Sequence, residues 1–203
     1  MRIPARSAVS ALLVWLTACS GSGSTGASAY GAGDPALAAP APGMTNIDPF
    51  LSNGVAVMRA LDAIAARSGK PLRVTSMNAD QVNGLSVDVQ EPKKHINVDH
   101  YVVAIDGTLS GPTPVRLMSM TGGPVTVADV DLKAFDPKAI GFARLERTVR
   151  ETITKSHFPD ARISQWEIDG TQPDDRRYLY FEAARGRPVA VVDPSLKILR
   201  VGF

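Results

Sequence analysis

Hydrophobic and polar positions divide the chain into three stretches of different texture. Residues 8–16 form an apolar run, preceded by Arg2 and Arg6 and by no acidic residue. A basic lead before an apolar stretch too short to cross a bilayer comfortably predicts an export signal rather than a membrane helix. Over residues 20–46 large apolar side chains almost vanish, leaving Gly, Ser, Ala, Thr and Pro. Such a segment cannot bury enough surface to offset its ordering entropy, so it reads as a tether, flexible at 21–26 and stiffer along the Ala-Pro stretch at 39–43. Its glycines do not make a phosphate loop, because no strand precedes them and no Gly-Lys-Ser/Thr follows.

From residue 47 onward apolar periodicity returns, over the length of one ordinary domain or two very small ones. Two helical stripes stand out. Val57, Leu61 and Ile64 share one face, with Met58 and Ala65 beside them. Phe142, Leu145, Val149 and Ile153 make the second, backed by Glu146/Arg150, Arg147/Glu151 and Glu151/Lys155 at i,i+4 spacing. Asp48-Pro49 and Asp136-Pro137 each place an N-cap before a proline suited to the first helical position, and Phe135 and Ile140 are spaced as a hydrophobic staple.

Alternating strands follow each helix. Segments 72–80 and 161–169 match, with Arg73/Arg162, Val74/Ile163 and Asp80/Asp169 at one common offset. Then come 85–89 and 178–181, next 101–107 and 189–194, and last 115–118 and 197–201. The step is close to ninety residues, and the alternation predicts antiparallel strands with one buried face. The predicted fold class is α+β: two tandem α-β-β-β-β units, each a helix packed on an antiparallel sheet. The expected boundaries are 1–18 for the signal, 19–46 for the tether, 47–135 for the first unit with a connector, and 136–203 for the second.

Charge changes with processing. The whole chain carries 22 Lys+Arg against 20 Asp+Glu, and the signal contains two of those cations and no acid. The processed chain is thus balanced, without a general pull toward nucleic acid or anionic lipid.

Leu16-Thr17-Ala18-Cys19, coming after the basic lead and the apolar run, resembles the lipobox of bacterial lipoproteins. The resemblance implies a diacylglycerol on the Cys19 sulfur, cleavage before Cys19, and acylation (palmitate-type) of the new amine. Cys19 is the only cysteine, so no intramolecular disulfide is possible, and lipidation would cap an otherwise lone exported thiol. Ser20, rather than Asp, follows it. By resemblance to enterobacterial lipoproteins that favours the periplasmic face of the outer membrane. The helix-then-meander order and the stretch Val103-Ala104-Ile105-Asp106-Gly107-Thr108-Leu109-Ser110-Gly111 look like PepSY domains of exported bacterial proteins. The second copy has Val191-Val192-Asp193-Pro194-Ser195 followed by Leu196-Lys197, without the glycine. The tandem arrangement also resembles the β-lactamase-inhibitor-protein-like architecture. Both resemblances imply a non-catalytic module that binds or restrains another protein.

Catalytic signals are thin. There is no Gly-x-Ser-x-Gly elbow, and Asp174-Asp175-Arg176-Arg177 reads as a loop of opposite charges. The best candidate for metal or hydrolytic chemistry is His95, Asp99 and His100, with His95 and Asp99 on one face if the segment is extended. A zinc site needs three or four convergent ligands, and the remaining histidine, His157, lies near the end of the second helix. The expectation is therefore a lipid-anchored envelope protein, not an enzyme, without metal or cofactor and without nucleic acid. Its partners would be the membrane, through Cys19, and an envelope protein. The alternative is a hydrolase or metal-binding protein using the His95 region. Strand alternation puts Tyr178 and Tyr180 opposite the core residues Leu179 and Phe181, and Trp166 falls out of phase with Ile163. Trp166, Tyr178 and Tyr180 are thus expected to form an exposed partner-binding patch, since aromatic rings give large contact area at small entropic cost.

Overall fold

An asparagine sets the first helical layer. The structure, a computed structural model, describes residues 49–118, 123–170 and 177–202. After a single turn, α1 (Pro49–Ser52), Asn53 leaves helical geometry and its side chain accepts from the amides of Val55 and Ala56. This captures amides that a new helix would otherwise leave orphaned. Helix α2 (Gly54–Ser68) therefore starts at Asn53, and the continuous helix expected from Asp48, which lies outside the described residues, is corrected. Val57, Leu61 and Ile64 are fully buried, as their shared face requires. Gly54 allows the close approach that seats α2: a Cβ there would lie 1.8 Å from the carbonyl oxygen of Phe142.

Eight strands form one sheet: β1 (Val74–Asp80), β2 (Gly84–Gln90), β3 (Val98–Val103), β4 (Leu109–Pro114), β5 (Arg162–Asp169), β6 (Arg177–Glu182), β7 (Val189–Val192) and β8 (Ile198–Gly202). Their order is β4-β3-β2-β1-β5-β6-β7-β8, antiparallel throughout. Two meanders thus share one sheet, joined where β1 pairs with β5. The mixed α+β class stands.

β4 is not where apolar content placed it. The expected strand at 115–118 is replaced by Leu109–Pro114, because the chain reverses immediately after β3. The Ala104 amide donates to Thr108 O at 2.9 Å, and the Thr108 amide donates to Asp106 Oδ1. A strand reading LSGPTP is poor by propensity, but an edge tolerates prolines whose missing N–H faces away from the ladder.

The helix expected from Asp136 also starts late. Asp136 caps only a short 3-10 turn, Pro137–Ala139, and a second 3-10 turn, Phe142–Arg144, precedes the α-helix. Between them the Gly141 amide donates to Pro194 O, diverting the chain toward the β7–β8 turn. Between β4 and these turns, within the expected connector, lies a helix, α3 (Val127–Lys133). Its start is closed by a capping box in which Thr126 and Asp129 bond reciprocally. The second long helix, α4 (Leu145–Ser156), buries Leu145 and Val149, with Phe142 ahead of them. Its outer side carries the Arg147–Glu151 and Arg150–Glu146 pairs.

One face of the sheet makes the core with α1, α2 and α4. Met77, Leu85, Val87, Ile163, Trp166, Ile168, Leu179 and Phe181 belong to that cluster. The meanders also agree in detail at an offset of 89 residues. β1 carries a register shift between Val74 and Ser76, and β5 carries one between Ile163 and Gln165. Where the strands meet, Asn78 faces Glu167, flanked by Met77 opposite Ile168 and Ala79 opposite Trp166.

Candidate functional site: the open face of the sheet

The face away from the core helices is organised in transverse rows, because directly paired residues in antiparallel strands share a face. One row runs Asn78, Glu167, Tyr178, Val191, Arg200 across β1 and β5 to β8. The next runs Asp80, Gln165, Tyr180, Val189. Along β6 the burial alternates: Leu179 and Phe181 are 1% exposed, whereas Tyr178 and Tyr180 are half-buried. Their rings stack with centroids 6.2 Å apart and planes inclined by 27°. Tyr178 and Tyr180 therefore stand together on the open face.

Trp166 does not join them, and that expectation is corrected. It is 1% exposed, lies on the core face, and donates from its indole Nε1 to Phe50 O at 2.8 Å. Its ring meets Phe142 with centroids 5.6 Å apart. The cause is the register shift after Ile163. An extra residue in the strand reverses the alternation, so residues three apart, Ile163 and Trp166, face the same side. A parity count from Ile163 crosses that bulge and comes out inverted.

Electrostatics single out Glu167, a residue outside the expected aromatic patch. Burial pushes the Tyr180 hydroxyl above its ordinary value, and the Glu167 carboxylate and Tyr178 add to the shift. Beside it the Oδ1 of Asn78 is buried with no hydrogen-bond partner among the described residues. The signal for Glu167 was its alternation with Trp166 and Ile168, legible only once the bulge is known.

The histidines are separated rather than gathered. His100, on β3, lies 2.6 Å by Nδ1 from Asp88 Oδ1 on β2, its cross-strand neighbour. His95 precedes β3 in a turn, with Nδ1 3.3 Å from Asp131 Oδ1 on α3. Asp99 pairs in register with Val89 and contributes, after burial, to raising the Tyr101 hydroxyl. His157 ends α4 in a left-handed conformation. Among the described residues no three His, Cys, Asp or Glu side chains come together as metal ligands. Asp131 is instead a docking point for α3: Gln90 Nε2 donates to Oδ1 at 2.7 Å, Arg73 Nη1 at 3.2 Å, and Arg73 Nη2 reaches the carbonyls of Asp131 and Ala134. Cys19 lies outside the described residues, and no described helix is long and apolar enough to cross a membrane.

Comparison with solved structures finds a "putative lipoprotein" from Clostridium difficile 630. Its crystal structure aligns with a TM-score of 0.51 at 11% sequence identity, covering 72% of this chain and 91% of that one. The likeness is one of fold. No protein-family model matches the chain, and no curated protein matches it in sequence.

Proposed function

We propose that this chain is a lipid-anchored protein of the bacterial envelope whose folded part is a non-catalytic module binding another protein on the open sheet face. One observation carries the reading: two stacked, half-buried tyrosines on a face that the core helices leave uncovered. Two further observations support its setting. The lipobox at Leu16-Thr17-Ala18-Cys19 is consistent with a neighbour in fold that bears a lipoprotein name. Ser20 favours the outer membrane over the inner as the site of anchoring.

The same reading takes the meanders as tandem copies of one α-β-β-β-β unit, joined by an approximate two-fold between Asn78 and Glu167. Matching bulges and a self-consistent β1–β5 register support it, because a displacement of 89 residues maps that pairing onto itself. The domain boundaries at 47–135 and 136–203 follow from this.

The test is crosslinking and pull-down from intact envelopes expressing the wild-type chain or the Tyr178→Ala/Tyr180→Ala double variant, each with its melting temperature measured. The expected result is a partner captured by wild type and lost in the variant, with the melt nearly unchanged. A partner captured equally by both, or no specific partner at all, overturns the reading. Mass spectrometry of the mature N-terminus checks the anchor, where an unmodified Cys19 thiol would sink it.

A further inference from the structure

We infer that the open face of β5 and β6 takes a lysine or arginine side chain from its protein partner, the cation seated over the Tyr178–Tyr180 pair and donating to the Glu167 carboxylate. This rests on the protein-binding reading and names the chemistry of the partner.

Three features converge. The first is the aromatic pair, whose faces carry the negative lobe of the ring quadrupole and attract cations. The second is Glu167, directly across the ladder from Tyr178 and close enough to Tyr180 to oppose ionisation of its hydroxyl. No ion pair links Glu167 to a cation among the described residues, whereas two acidic residues of the first meander's open face, Asp88 and Asp80, have partners of their own. Asp88 has His100, and Asp80 accepts from Val82, Asn83 and the Asn83 side-chain amide within its own turn. The third is Asn78, directly across the ladder from Glu167, whose buried Oδ1 has no hydrogen-bond partner among the described residues.

Glu167 thus sets a carboxylate beside two ring faces on this platform. On the same face Arg162 stands opposite Glu182, and Arg200 on the edge strand β8 stands opposite Val191. The Glu167 carboxylate repels an anionic ligand, and together with the two ring faces it matches the several N–H donors and delocalised charge of a guanidinium, or the ammonium of lysine. Occupancy by an apolar segment would leave the Glu167 charge desolvated and unpaired, which is strongly unfavourable.

The experiment uses the full-length chain in detergent solution and isothermal titration with two probes: a short peptide alternating serine and arginine, and the same peptide with citrulline replacing arginine. Citrulline keeps the shape and loses the charge. The arginine peptide is expected to bind about tenfold or more tighter. Glu167→Gln should abolish that difference. Tyr178→Phe/Tyr180→Phe should retain binding, because the ring faces remain, while Tyr178→Leu/Tyr180→Leu should weaken it by about tenfold. Asp88→Asn, a charge removed elsewhere on the same face, should leave the affinity within about twofold.

Equal binding of the two peptides, or Glu167→Gln binding like wild type, overturns the proposal. So does an Asp88→Asn loss equal to that of Glu167→Gln, which would mean unspecific attraction. Should the leucine variant melt early, the Glu167→Gln and citrulline arms decide alone. The envelope pull-down separates this failure from that of the broader reading: a partner lost on Tyr178→Ala/Tyr180→Ala but retained on Glu167→Gln keeps the binding face and removes the cation.

Discussion

The turn after β3 and the turn after β7 make the same two hydrogen bonds on different residues. In the first, the Ala104 amide donates to Thr108 O at 2.9 Å and the Gly107 amide to Ala104 O at 2.8 Å. In the second, Asp193 donates to Lys197 O at 3.0 Å and Leu196 to Asp193 O at 2.9 Å. Gly107 has φ +84°, natural for glycine; Leu196 has φ 58°, which costs an L-residue roughly 1–2 kcal/mol. Leu196 accepts that strain because its side chain is 1% exposed within the core and its carbonyl receives the Thr148 hydroxyl at 2.6 Å. Gly107, at an exposed tip with no atom near a would-be Cβ, has nothing to bury.

The same contrast runs through the two meanders. On the open face the first carries small polar and acidic residues, Ser76, Asn78, Ser86 and Asp88; the second carries Tyr178, Tyr180, Val189 and Val191. At the core position after each bulge, β1 has Met77 and β5 has Trp166. The two meanders share strand order and bulge position but differ in chemistry, the larger side chains lying in the second.

The largest expected effect breaks the comparison at the core. Trp166→Ala should lower unfolding stability by about 3–5 kcal/mol in urea titration, and Met77→Ala by about 2–4. Trp166 also forfeits the indole bond to Phe50 O, so its loss should exceed that of Met77 by roughly 1 kcal/mol. Equal losses would mean that the two positions are packed alike and that the asymmetry is superficial.

The two turns sharpen it next. Leu196→Gly relieves backbone strain but empties a core position, for a net loss of about 2 kcal/mol. Gly107→Ala meets only the left-handed conformation and should lose about 1 kcal/mol. Thermal melts rank them, and Gly107→Ala as the worse of the two would contradict the burial account of Leu196.

The smallest effect concerns α3, which the first half docks at Asp131. The hydrogen bond from Gln90 holds the Asp131 carboxyl below its usual range, with His95 and Arg73 adding to it. A carboxyl lowered in the folded state stabilises fully above its unfolded pKa and loses that contribution as pH falls through the lowered value. Amide exchange in α3 should therefore quicken on acidification below about pH 4, ahead of exchange in β5 and β6. Simultaneous loosening of all three would remove Asp131 from that role.

Local pattern was enough for much of this. The helical stripes, the order of strands, the inward Leu179 and Phe181 and the outward Tyr178 and Tyr180 follow from periods of 3.6 and 2, which neighbouring residues determine among themselves. The Thr126/Asp129 box is equally local. Three things belong to the tertiary structure alone. A bulge is an unequal count of residues between two strands, so nothing in β5 itself announces that Trp166 turns inward. The β1–β5 pairing that makes one sheet of two meanders, and sets Asn78 beside Glu167, is a choice between strands distant along the chain. The placing of Glu167 against Tyr180, and of α3 against Gln90, depends on cross-strand register, which the period of a single strand leaves free.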